Sequence, residues 1–250
     1  MDPDFELMAK VRQIHSDTRS SYGSRRISGQ LRDDGYDVGR YRARTLMKKA
    51  GVSVKRRKKF KRTTDSNHKH PIAPNLLNRQ FDVERPNAAW CADITYLWTV
   101  QGWLYLAVVL DLYSRKVVGW ALSNRLTALV VKDALSMAYW RRKPEKGIIH
   151  HSDRGSQYAG GDYQKMLDQY GMICSMSRKG DCWDNAVVES FFHSLKTEWI
   201  ADIIYKTRDE ARADVINYIE MFYNSRRHNS FLGNTNPNSF ENNSFLAKVA

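Results

Sequence analysis

Asp93, Asp153 and Glu189 stand inside the segments WCADITYLW, IIHHSDRGSQY and GDCWDNAVVESFFHSLK, with 35 residues between the last two carboxylates. Carboxylates gathered from distant parts of a chain are what a protein needs to hold hard divalent cations, which take oxygen ligands. Two such cations over a phosphodiester can clamp the attacking and leaving oxygens of an in-line displacement. Spacing alone says little in a chain with 27 acidic residues, because some pair falls at almost any interval. The flanking residues are more informative.

Asp93 interrupts a strand that is otherwise apolar and aromatic, where burying a carboxylate is costly unless it is paired or metal-bound. Asp153 follows two isoleucines and two histidines at a strand's end and opens the loop-forming run Arg154-Gly155-Ser156. Carboxyl ends of strands are where α/β folds commonly place ligands. Glu189 falls in a helix whose N-cap is offered by Asp181 or Asp184, and Asp184 is read as such a cap. In that helix Val187, Phe191, Leu195 and Trp199 form the expected buried row. Asn185, Glu189, His193 and Lys196 share the other side, where Lys196 can reach a nucleic-acid backbone. The plain alternative for each carboxylate is a structural ion pair or a cap. His150 and His151 have no accompanying ligand cluster and read as positioning or structural residues.

A nucleic acid is the natural polyanion for the rest of the chain. The net charge is +13, and it is unevenly spread. Residues 1–80 hold 20 Lys/Arg against 8 Asp/Glu, whereas residues 81–250 hold 20 against 19. Between Arg40 and Arg62 there are 12 basic residues and no acidic one. That block includes Arg40, Arg42, Arg44, Lys48 and Lys49, then Lys55, Arg56, Arg57, Lys58 and Lys59, all expected to meet phosphate oxygens. Phe5, Met8, Val11 and Ile14 recur at spacings of three and predict a first helix. Segments ending at Gly35 and Gly51 predict two more, together a helix-turn-helix unit.

These patterns divide the chain into a DNA-binding unit over 1–62, a linker over 63–80, a core over 81–200 and a C-terminal helical extension over 201–250. In the core, alternation from Trp90 to Trp98, the apolar run WLYLAVVLD and the segment KVVGWAL predict an antiparallel meander. A helix over 126–140, a strand at 147–150, a helix over 162–170 and the strand MICSMS follow, a mixed α/β order. The three cysteines lack zinc-knuckle pairing and read as reduced, buried thiols. The longest apolar stretch, Leu104 to Leu110, is too short to span a bilayer, and no signal-peptide pattern opens the sequence, so an intracellular protein is expected.

The segments WCADITYL, HSDRGSQY and SMSRKGDCWDNAVVES resemble those of the integrase-type transposases of bacterial insertion sequences. The similarity is to the second-frame (OrfB) product of the insertion-sequence-three family, in the retroviral integrase superfamily. YNSRRHNSFLGNTNP at 223–237 resembles that family's C-terminal signature, and YGSRRISGQLRDDGYDVGRYRARTLMKKAGV its helix-turn-helix region. The resemblance implies a ribonuclease-H-like core of five mixed strands with flanking helices behind a small all-α domain. It implies that Asp93, Asp153 and Glu189 form the acidic triad, that Lys196 is the family's basic position, and that Asn185 belongs to the shared segment. The implied chemistry is DNA cleavage and strand transfer with two Mg²⁺ or Mn²⁺ ions about 3.5–4 Å apart. The implied setting is the bacterial cytoplasm on double-stranded DNA, as a homo-oligomer, with the upstream-frame product as a fusion or partner. The chain lacks the zinc-binding His/Cys domain of retroviral integrases and a long leucine heptad segment, so it is expected to be incomplete alone. A DNA-binding regulator and a ribonuclease-H-type nuclease that cuts without joining are the two rival readings.

Overall fold

The structure, a computed structural model, describes residues 4–54 and 70–249, without the side chains of Cys182 and of 247–249. The basic run Lys55, Arg56, Arg57, Lys58 and Lys59 therefore lies outside the described residues.

Helices α1 (Asp4–Asp17), α2 (Ser24–Asp33) and α3 (Arg40–Lys49) form the expected N-terminal unit. Gly35 and Gly51 follow α2 and α3 with φ of +91° and +71°, the left-handed geometry that lets a helix end in a tight turn. The buried stripe of α1 is Leu7, Val11 and Ile14, whereas Phe5 is exposed and Met8 half-buried. This corrects the expected stripe. Residues every third position precess by about 60° per step around a helix, so Phe5 lies opposite Ile14.

The core is a five-stranded sheet of order β3-β2-β1-β4-β5. Strands β1 (Ala89–Thr99), β2 (Gly102–Asp111) and β3 (Val117–Ser123) make the antiparallel meander. Strands β4 (Ile149–Ser152) and β5 (Ile173–Met176) add in parallel beside β1. Alternation along β1 sends Trp90 and Ala92 to one face and Cys91 and Leu97 to the other. The first face is covered by α4 (Ala128–Arg142) and α6 (Gly161–Gln169), with the single turn α5 (Ser156–Ala159) between. That turn was expected to be loop. The second face is covered by α7 (Ala186–Ser194) and α8 (Arg208–Asn217), and the N-terminal helices join the same core. This is the ribonuclease-H-like arrangement expected.

Two segments are more firmly built in than their sequence suggests. Residues 74–80 were read as linker, yet Leu77 is buried and the amides of Leu76 and Leu77 donate to Ser175 Oγ at 2.9 and 3.2 Å. Helix α9 (Pro237–Val249) is anchored by Glu241, whose carboxylate accepts two hydrogen bonds from Arg142 at 2.9 Å each. Among the described residues no helix is long and apolar enough to cross a membrane.

Candidate active site

The register of β1 against β4 pairs Ala92 with Ser152 in parallel. Asp93 is the next residue of β1 and Asp153 the first beyond the end of β4, so the two stand side by side, with neighbouring strands about 4.8 Å apart. Helix α7 is tied to the same spot: Asn185, just before it, donates from Nδ2 to the Ala92 carbonyl oxygen at 3.3 Å. Glu189 follows one helical turn later on the same side. The three carboxylates thus come from a central strand, an adjacent strand end and a helix packed across them.

Their charges act on one another. Burial pushes the Asp93 carboxyl well above its usual range, and the charges of Asp153 and Glu189 push it further. The Ile94 amide, donating to Asp93 Oδ1 at 2.7 Å, and the Lys196 ammonium act the other way. Lys196 is itself lowered by burial, with Asp93 restoring part of the loss. Its Nζ lies 5.1 Å from the centre of the Tyr96 ring. Asp153 is held from behind, where the Gly155 amide donates to its Oδ1 at 2.8 Å. A Cβ on Gly155 would stand 2.9 Å from that same oxygen, so glycine there leaves the carboxylate room.

The donor set suits a hard divalent cation. It is all oxygen, it carries more negative charge than Lys196 offsets, and Asn185 adds a buried Oδ1 with no hydrogen-bond partner among the described residues. Among those residues no group of three His, Cys, Asp or Glu side chains is already placed to hold a metal ion. An ion here would be held between neighbouring carboxylates.

Asp184, read as a helix cap, is something else. It is completely buried and accepts hydrogen bonds from Arg178 N, Nε and Nη2, from Arg79 Nε and from Asn75 Nδ2, at 2.8–2.9 Å. The Arg178 guanidinium holds its carboxyl far below the usual range. Asp184 therefore locks the 74–80 segment and the entry to α7 together. Asp181 caps the short 3-10 turn Cys182–Asn185 that leads into α7, accepting from the Trp183 amide at 3.2 Å, while α7 itself has Asn185 at its N-cap with no side-chain cap bond. His150 and His151 are structural as expected: His151 is hydrogen-bonded to Ser175 and Ser177, and His150 to Tyr163. His193 is exposed. Cys91 is buried, Cys174 only partly so.

In the N-terminal unit, Ala43, Leu46 and Met47 are buried, which leaves Arg40, Arg42, Arg44, Lys48 and Lys49 at the surface. Two of them already have a partner within the unit, since Arg42 and Lys49 both pair with Asp4 of α1, at 3.4 and 2.5 Å.

Residues 83–182 match the family described as "Integrase core domain", residues 189–245 match a second family of that description, and residues 2–60 match an "HTH-like domain". The chain is 45% identical over 237 residues to the insertion element IS600 uncharacterized 31 kDa protein of Shigella sonnei, covering 95% of this chain and 87% of that one. It is also 45% identical over 225 residues to the transposase InsF for insertion sequence IS3A of Escherichia coli (strain K12), covering 90% and 78%. Among solved structures, the HTLV-2 integrase catalytic core domain in complex with magnesium aligns with a TM-score of 0.45 at 14% identity, covering 62% of this chain and 97% of that one. Identity of this extent with InsF, across both the helix-turn-helix and the integrase regions, shows that the chain belongs to the IS3 family of insertion-sequence transposases, polynucleotidyl transferases that act on DNA.

Proposed function

We propose that Asp93, Asp153 and Glu189 are the catalytic carboxylates of this transposase, holding two Mg²⁺ or Mn²⁺ ions and carrying out both strand cleavage and strand transfer at insertion-sequence ends. The observation that carries this reading is the mutual effect of the three carboxylates at the junction of β1, β4 and α7. Divalent cations bound there would supply Lewis acidity and make a water or a DNA 3′-hydroxyl nucleophilic near neutral pH. Asp93, with its raised carboxyl, is the side chain most in need of a cation. Gly155 and the Asn185 tether keep Asp153 and the helix of Glu189 in place. Lys196 presents an ammonium beside Asp93 and can hold the phosphate that follows the cut. Arg40, Arg42, Arg44, Lys48 and Lys49 supply backbone affinity from α3, Arg44 and Lys48 most directly. A homo-oligomer follows from the need to bring two DNA ends together.

Asp153→Asn should bind DNA ends as the wild type does, yet lose cleavage and strand transfer by at least about a thousandfold, the scale on which charge-stabilising groups act. Residual joining near the wild-type rate would remove the triad assignment. Hydrolysis products without joined products would favour the nuclease reading. Millimolar Mg²⁺ should also raise the melting temperature of the wild type and leave Asp93→Asn little changed. Equal shifts in both proteins would mean that the ion binds elsewhere.

A further inference from the structure

Helix α7 presents a second face beside the one that carries Glu189. A cavity of about 350 Å³ opens there, between α7, the N-terminal unit and residues 227–231. Its lining includes Arg26 from α2, Arg115 from the β2–β3 turn and Arg227, with the hydroxyls of Ser194 and Ser230. The lining holds one carboxylate, Glu198, and two of these guanidinium groups already engage it. Arg227 donates to it from Nε at 2.6 Å and from Nη2 at 2.8 Å, and Arg26 donates from Nη1 at 2.9 Å. Burial alone would raise the Glu198 carboxyl, but the hydrogen bonds and charges of Arg227 and Arg26 hold it down at about 2. The lining itself holds three guanidinium groups and one carboxylate, with Asp82 and Asp111 acting on Arg115 from outside it.

Arg115 is the guanidinium that Glu198 does not serve. It is only 4% exposed. Its Nη2 donates to the Phe81 carbonyl oxygen at 2.9 Å, and the group lies 3.9 Å from the centre of the Phe231 ring. Its Nη1 is buried with no hydrogen-bond partner among the described residues. The backbone at Arg115 has φ +59°, a strained value for a non-glycine residue, so the fold holds this side chain in place against a local penalty. An anionic oxygen is the natural partner of a guanidinium charge.

We propose that this cavity is an oxyanion site that takes a phosphate group, held by the guanidinium groups of Arg26 and Arg227 and the Ser194 and Ser230 hydroxyls, with the buried Arg115 guanidinium adding its charge to the lining. Guanidinium forks suit phosphate geometry, and three chain segments far apart in sequence would then close on one ligand. The phosphate can come from the DNA backbone or from solution. The site stands on its own residues and does not depend on the assignment of the carboxylate triad.

The test uses the full chain, with Arg115→Gln and with Ser230→Asp. Ser230 is exposed at the start of a short helical turn, where aspartate is well tolerated, so this variant should fold even if Arg115→Gln does not. Thermal melts are recorded in inorganic phosphate against chloride at matched ionic strength. General stabilisation by phosphate is common to all three proteins and cancels in the comparison. Binding of a duplex oligonucleotide is measured against salt in parallel. If free phosphate is the ligand, Ser230→Asp should weaken its apparent affinity about tenfold, as a like charge at the mouth would. If a DNA phosphate is the ligand, both variants should bind duplex more weakly, with the slope of log K against log salt reduced by about 1. Either result supports the site and names its source. Wild-type responses to phosphate and to salt in Ser230→Asp would overturn it.

Discussion

Asp93 and the histidine pair His150 and His151 lie on adjacent strands, and burial moves them in opposite directions. It raises the Asp93 carboxyl and lowers the two imidazoles, to about 3 for His150 and about 4 for His151. The consequences for stability also have opposite signs. The unfolded chain protonates its histidines below their ordinary value of 6.5 while the folded chain keeps these two neutral, so stability falls as pH drops through that window. For Asp93 the folded state holds the proton more tightly, so stability is lost as pH rises above the ordinary carboxylate value and is regained on acidification. In Asp93→Asn the histidines act unopposed. That variant should lose roughly 2 kcal/mol for each histidine between pH 6.5 and 5, read from urea unfolding at the two pH values. A flat profile would mean that the imidazoles are solvated in the folded state. At this scale the acidic residues were legible because Asp93 breaks an apolar run and Asp153 ends one. Asp184 was misread because its partners Asn75 and Arg79 come from a distant segment with no periodic pattern to mark its docking.

The strands were legible as elements because alternation and apolar runs encode two faces directly. Helix phases were less so. The row Val187, Phe191, Leu195 and Trp199 assumes a uniform step of four, which drifts by about 40° each time. The buried set is Val188, Phe191, Phe192, Leu195 and Trp199, and the helix widens to π geometry over Leu195–Trp199. Lys196 lies in that stretch beside Tyr96, and the widening depends on tertiary packing that no local pattern announces. Close approach between elements is equally hidden. Gly119 of β3 sits so near α4 that an added Cβ would lie 2.2 Å from the Ala134 carbonyl oxygen and 2.7 Å from the Ala138 nitrogen. Both are backbone atoms and cannot swing aside. Gly119→Ala should therefore cost about 3 kcal/mol in urea unfolding, at the upper end for overpacking. Gly161→Ala, at the first position of α6 with nothing within 4 Å, is the control and should be neutral or slightly stabilising. Equal effects at the two glycines would mean that β3 and α4 are less closely packed than this.

Across the whole molecule, charge and chemistry occupy different parts of the chain. Nearly all of the +13 net charge belongs to residues 1–80, while the three carboxylates lie on the neutral remainder. That split was legible in composition. The way the two parts are joined was not, since it rests on a shared core and on polar contacts across very long sequence separations. Arg19, in the turn between α1 and α2, donates to both oxygens of Asp214 on α8, at 3.0 and 2.7 Å, and its guanidinium lies 3.8 Å from the centre of the Trp199 ring. Asp214 also accepts from Trp199 Nε1 at 3.0 Å and from the Tyr205 hydroxyl at 2.6 Å. Removing Arg19 thus takes one tie from the helical unit but leaves Asp214 with two partners. Arg19→Ala should cost about 2 kcal/mol, because the pair is bidentate and mostly shielded from water. Duplex binding should change by no more than about threefold, since the phosphate-facing residues of α3 are untouched. Cleavage at a transposon end should fall about tenfold or more, because DNA gripped by a loosened unit is presented less accurately to the carboxylates. Binding and cleavage falling in parallel would show that Arg19 serves the grip itself, and cleavage unchanged would show that the seat of the helical unit on α8 plays no part in aiming the DNA.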